Sequence, residues 1–186
     1  MEIPQISSVL QSIFPNEKIE ANNDENWQVQ TDSVRLLVIL SEDKSWIRVL
    51  VPVAAMTEAQ PLLGQLMEAN FDVTGAVRYA SGQNVLWTVF QHNFATLTES
   101  DFQDGVAQSI AIAQKGLGEA FQQLIEGRIR QIIQASKAQG QSKEATYKTL
   151  ERFYQEGMMG DLDRNPQERD DFLAAWKAQL DRLWDE

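Results

Sequence analysis

The strongest constraint on how this chain can fold lies between Val34 and Val53. The stretch opens with Val34-Arg-Leu-Leu-Val-Ile-Leu and passes through the polar run Ser41-Glu-Asp-Lys-Ser. It then continues as Trp46-Ile-Arg-Val-Leu-Val-Pro-Val. Two β-branched runs around a short charged turn predict a β-hairpin. Neither run alternates simply between apolar and polar. Val34, Leu36, Val38 and Leu40 share one face of the first run, and Leu37 and Ile39 take much of the other. In the second run Ile47, Val49, Val51 and Val53 share a face, with Trp46 and Leu50 opposite. Strands that are apolar on both faces are covered on both sides, at least in part. What covers the second side is therefore the question on which function turns.

The flanking sequence supplies cover for one side. Ile6, Val9, Leu10, Ile13 and Phe14 recur at helical spacing, Pro4 suits a first helical turn, and Pro15 stops the helix. Residues 16–25 read as a loop. Trp27 and Val29 alternate with glutamines as a short strand. Thr57-Glu-Ala-Gln60 has the form of a capping box ahead of a helix carrying Leu62, Leu63, Leu66, Met67 and Phe71. Residues 73–80 and 85–91 form a strand pair around Ser81-Gly-Gln-Asn84, with Gly82 placed where a positive φ is needed. In its second strand Val85, Trp87 and Val89 line one face, and Leu86 and Phe90 the other.

Thr98 opens a long helix over residues 98–133, with Asp101 in its first turn and Leu97 and Phe102 placed as a hydrophobic staple. Its stripe runs through Phe102, Val106, Ile110, Ala113 and Leu117, and Gly116 and Gly118 allow close packing or a bend. Residues 136–142 read as a linker in which Gly140 ends one helix and Ser142 caps the next. Tyr147, Leu150, Phe153 and Tyr154 mark that next helix, and Gly157 ends it. Asn165-Pro-Gln-Glu168 starts a final helix with the stripe Phe172, Trp176, Leu180 and Trp184.

The order α-β-β-β-α-β-β-α predicts an α+β domain over residues 1–135. Its architecture is a five-stranded, mainly antiparallel sheet with helices on one face, and residues 136–186 form a helical C-terminal extension. Three helices cover one face. Trp46, Leu50, Leu86 and Phe90 are assigned to the other, as candidate contacts for a partner or a second copy. Phe172, Trp176, Leu180 and Trp184 form a stripe of the kind most often used for simple packing, and are a second candidate set as a helix that docks in cis or in trans.

Little in the chain points to chemistry. Cysteine is absent, which excludes disulfides, thiolate metal sites and cysteine nucleophiles. His92 is the only histidine, without partners for acid–base work or for a histidine metal site. Gly116-Leu-Gly118 lacks the third glycine and the preceding strand of a dinucleotide fingerprint. Asp161-Leu-Asp-Arg-Asn165 opens like a calcium loop, but Pro166 and Phe172 stand where glycine and glutamate are required. Met158-Met159 reads as core or a buried loop. No catalytic, cofactor or metal residue is assigned. Sixteen basic against 27 acidic residues give a net charge of -11, and neither half of the chain is basic. Nucleic acid is therefore not the expected partner. No apolar run reaches the roughly 20 residues of a membrane helix. The N-terminus lacks the pattern of a signal peptide, so a cytoplasmic location is expected.

Residues 3–133 resemble the YbjN-like proteins, which share the fold of type III secretion chaperones. The residues that carry the resemblance are the two hairpin runs, Pro61-Leu-Leu-Gly-Gln-Leu-Met-Glu-Ala-Asn-Phe71 and Ala76-Val-Arg-Tyr-Ala-Ser-Gly-Gln-Asn-Val-Leu-Trp87. The whole chain is also similar to cyanobacterial proteins of this type. The resemblance covers about two-thirds of the chain and implies a small acidic homodimer that binds other proteins and is not an enzyme. The C-terminal helices depart from the family pattern. They raise the alternative of a structural or regulatory subunit that docks onto a larger complex through them.

Overall fold

The computed structural model describes residues 1–22, 25–155 and 166–186; the side chains of 153–155, 166–172 and 175 lie outside that description. The chain divides into two compact units, Met1–Phe121 and Gln122–Glu186. The boundary expected from the sequence is 135/136, at the linker-like run 136–142 that contains Gly140.

The first unit holds helix α1 (Ile3–Ile13) and strands β1 (Ile19–Asn22), β2 (Asn26–Gln30), β3 (Arg35–Leu40) and β4 (Trp46–Ala55). Helices α2 (Met56–Ala59) and α3 (Leu63–Asp72) follow, joined by a 3-10 turn. Strands β5 (Val77–Gly82) and β6 (Val85–Asn93) and helix α4 (Glu99–Lys115) complete it, with the first residues of α5 (Gly118–Ala138). The strands make one antiparallel sheet in the order β1-β2-β3-β4-β6-β5. The α+β architecture is the expected one, but with six strands rather than five. The added strand is β1, inside the stretch expected to be loop. It presents one half-buried residue and three exposed ones, so it carries no alternation to recognise.

One transverse row shows how the core is built. Trp27, Val38, Val49, Phe90 and Val77 stand side by side on five neighbouring strands and are all buried. Ile6, Val9 and Leu10 of α1 and Phe102, Val106 and Ile112 of α4 pack in the same cluster. Trp27 keeps its indole N–H satisfied by donating to Ser7 Oγ at 2.9 Å, as a buried tryptophan requires. The start of α4 follows its sequence signals. Thr98 and Asp101 form a reciprocal capping box, and Leu97 and Phe102 are buried together.

Three local expectations need correction. The Thr57–Gln60 capping box does not form, because the chain enters α2 directly from β4 and Ala55 takes the N-cap position. The β5–β6 turn places its positive φ at Gln83 (53°) and Asn84 (60°), not at Gly82. Two consecutive left-handed residues match the strand twist of a two-residue hairpin. The long helix is two helices, broken where Gly116 adopts φ 59° and ψ -141°. The stripe that α4 buries is Phe102, Gly105, Val106, Ser109 and Ile112, whereas Ile110 and Ala113 are only half-buried. Small residues take the inward positions because the helix lies very close to the sheet. A Cβ at position 105 would come within 2.6 Å of the Phe90 ring.

The second unit holds the rest of α5, α6 (Lys143–Gln155) and α7 (Pro166–Leu183). Gly140 has φ 68° after α5, and Ser142 Oγ accepts the Ala145 N–H at the start of α6. Ile129, Ile133, Leu150, Trp176, Leu180 and Leu183 form its core. The Asn165 cap, the Gly157 stop, the Met158-Met159 pair and the Asp161–Asn165 run lie outside the described residues.

Candidate partner-binding face

Successive side chains of a strand point to opposite faces, so the register that builds the core also builds its reverse. A second row crosses five strands as Gln28, Leu37, Leu50, Val89 and Arg78. Beside it Arg48 pairs with Ile39 and Gln91, and Trp87 pairs with Pro52 and Ala80. Leu37, Ile39, Trp46, Leu50, Trp87 and Val89 are all half-buried, whereas their alternates along the strands are buried. Leu37, Ile39, Leu50, Trp87 and Val89 floor an open trough of about 740 Å³, and Trp46 lies on the same face of the sheet.

Two arginines stand in this trough, and among the described residues no aspartate or glutamate lines it. The Arg48 guanidinium lies 4.7 Å above the Trp46 ring centre and donates to Gln91 Oε1 at 2.7 and 3.0 Å. Arg78 donates through Nη1 to Thr74 Oγ1 and to the carbonyls of Gly75 and Val77. Among the described residues neither arginine meets a carboxylate.

Both edges of the sheet are blunted. The outward N–H and C=O of Tyr79 on edge strand β5 are both taken by the Asn70 side chain, at 2.7 and 3.2 Å. The Val77 N–H donates to the Thr74 carbonyl, and its C=O accepts from Arg78. The opposite edge, β1, is short and carries the exposed Lys18–Glu20 ion pair at its start. Charged, short or side-chain-plugged edges resist pairing with another strand.

The register redistributes the predicted contact residues. Trp46 and Leu50 lie on the trough face. Leu86 and Phe90 do not; they are 2% and 3% exposed on the helix-covered side. Leu50 pairs with Val89, and Phe90 with Val49. The correct companions on β6 are therefore Trp87 and Val89. In the sequence both faces of β6 are apolar, and a one-residue shift in pairing exchanges them. The register also slips at Pro52/Ala54, which hides the alignment further.

In the second unit Trp176 and Leu180 are buried in the core and Trp184 packs half-buried against it. The Phe172 side chain lies outside the described residues. Of the two readings of this stripe, simple packing and a docking helix, Trp176, Leu180 and Trp184 follow the first within their own unit.

The sequence reading missed a separate patch on α3. Phe71 is 91% exposed, Met67 66% and Val73 56%. Helical spacing suggested packing for Met67 and Phe71, but only Leu66 of α3 is buried. The remaining chemistry is sparse. His92 stacks against Phe90 at 6.0 Å, and its Nδ1 is 2.8 Å from the Asn93 carbonyl. No group of three metal-ligating side chains and no helix long and apolar enough to cross a membrane occurs among the described residues.

An antiparallel sheet with helices on one face and an apolar trough on the other is the class of fold present here. Solved structures that it is similar to include a type III secretion chaperone and two further protein complexes. One is the Yersinia pestis chaperone SycH in complex with a stable fragment of YscM2. It is 14% identical, with a TM-score of 0.47, over 60% of this chain and 97% of that one. The ExsC–ExsE complex matches at 12% identity and a TM-score of 0.49, over 61% of this chain and 93% of that one. The HopA1–SchA chaperone–effector complex matches at 7% identity and a TM-score of 0.47, with the same coverage of 61% and 93%. No family model and no curated protein sequence matches the chain.

Proposed function

We propose that this protein is a non-enzymatic, chaperone- or adaptor-like module that binds other proteins and acts as a homodimer in the cytoplasm. The observation that carries this reading is the trough on the open face of the sheet. Five large apolar side chains, Leu37, Ile39, Leu50, Trp87 and Val89, remain half-exposed there. Contiguous apolar surface that a chain does not cover for itself marks an interaction site.

The α3 patch supports the dimer. Met67 and Phe71 are one helical turn apart and strongly exposed, and an apolar helix face can pair with its own copy around a two-fold axis. Leu50→Glu tests the trough and Phe71→Glu tests the patch. The intact chain should elute at twice its 21.1 kDa mass, and Phe71→Glu should elute as a folded monomer. Leu50→Glu should remain a dimer and lose a partner that co-purifies with the unaltered chain. A strictly monomeric wild-type protein would remove the dimer. Unchanged co-purification by Leu50→Glu would remove the trough as the binding face.

A further inference from the structure

We propose that the trough selects an amphipathic helix of a partner protein whose apolar stripe is flanked by two carboxylates about seven or eight residues apart. This inference rests on the trough being the binding face and specifies what it accepts.

Residues 1–97 contain only five lysines and arginines among eleven acidic residues. Two of those five, Arg48 and Arg78, line the trough, and among the described residues no acidic one does. A stretch with an acidic excess thus places two of its five positive charges beside this apolar floor. Such a field favours an acidic ligand and repels basic ones. Both guanidiniums also keep donors to spare. Arg48 holds Gln91 through Nε and Nη2, which leaves Nη1 unbonded among the described residues. Among the described residues Arg78 uses only Nη1, which leaves Nε and Nη2. Guanidinium N–H groups in that state are suited to carboxylate oxygens.

The spacing follows from the register. Arg48 is opposite Gln91 on β6, and Arg78 is opposite Val89 on the far side of β6. Two strand spacings and a two-residue offset put their Cα atoms about 12 Å apart. On a helix that distance corresponds to about seven or eight residues. The positions three and four along then face Leu50 and Val89 between the two charges.

The choice of a helix rests on backbone hydrogen bonding. A strand laid over this floor would leave its own N–H and C=O groups facing apolar side chains, which is costly. Joining the sheet at an edge would remove that cost. Asn70, Thr74 and Arg78, however, already occupy the outward groups of Val77 and Tyr79 on β5. A helix satisfies its backbone internally and offers only side chains.

The test titrates the full-length protein with three fluorescent, alanine-based helical peptides. Each carries the same two leucines on one face, flanked by glutamate, glutamine or lysine. The glutamate peptide should bind about five- to tenfold tighter than the glutamine peptide, and the lysine peptide weakest. Raising the salt concentration should narrow the difference. Arg48→Gln combined with Arg78→Gln should abolish the preference for glutamate over glutamine, with the circular dichroism spectrum and thermal midpoint of the variant showing that it is folded; a folded variant that keeps the preference would overturn the charge selection. Equal affinity for the glutamate and glutamine peptides, both lost in Leu50→Glu, would overturn the charge selection and leave the trough as a binding face. Failure of all three peptides to bind would overturn the proposal, with the binding face then judged by the co-purification experiment alone.

Discussion

Gly105 sets how closely α4 approaches the sheet, and it makes a sharp prediction about stability. A Cβ there would meet three atoms of the Phe90 ring at 2.6–2.8 Å, and Phe90 is itself fixed within the core cluster. Overpacking of this kind costs about 1–3 kcal/mol, while alanine in place of helical glycine returns up to about 1 kcal/mol. Gly105→Ala should therefore lose about 1–2 kcal/mol net, read as a lower urea midpoint at unchanged slope. No change, or a gain, would mean that the helix can move outward. This close approach is poorly legible in the sequence. Apolar periodicity pointed to Ile110 and Ala113, because a buried glycine and a buried serine have no hydrophobic signature. Thr88 is a similar case, fully buried because its hydroxyl reaches the Ser109 carbonyl at 3.0 Å. Cap signals fared unevenly for a physical reason. Thr98 meets a free helix start, whereas Thr57 sits where a strand runs straight into α2.

At the scale of elements, the sheet edge and the C-terminal helices each carry a test. Asn70→Ala removes both hydrogen bonds to the Tyr79 backbone. It should cost about 1–2 kcal/mol and raise concentration-dependent light scattering, since an open edge is a template for pairing. Lower stability without increased scattering would show that Asn70 serves α3 rather than the edge. In the second unit Glu126 lies between Arg130 at 2.9 Å and Arg182 at 2.6 Å. The hydrogen bond from Arg130 chiefly, then that from Arg182, holds its carboxyl below the ordinary glutamate range. A carboxyl depressed in the folded state contributes stability above its unfolded pKa and loses it as pH falls through the folded one. Thermal melts of the intact chain should thus show a drop on acidification that Glu126→Gln reduces. Identical pH profiles would exclude this network as a contributor. Strands and helices were largely readable because their periods are strong; β1 was not, because three of its four residues face solvent. The register of β4 on β6 was also hidden, since both strands are apolar on both faces.

For the whole molecule, the central feature is the two-sided hairpin and its neighbours. One side is a closed core and the other an open trough with two arginines. The sequence showed that a second side existed, and Trp46 and Leu50 marked it. It could not show that Trp87 and Val89 complete it, nor that Phe71 projects elsewhere. Those facts depend on register and on which turn of α3 meets the sheet. The most direct measurement is site-specific photo-crosslinking in the native cell, with the photoreactive residue at Val89 and, separately, at Phe71. A single heterologous protein captured from position 89, and a second copy of this chain from position 71, is the predicted result. Position 89 crosslinking only to residues within its own chain would show that the trough is internal packing, and would contradict the binding function.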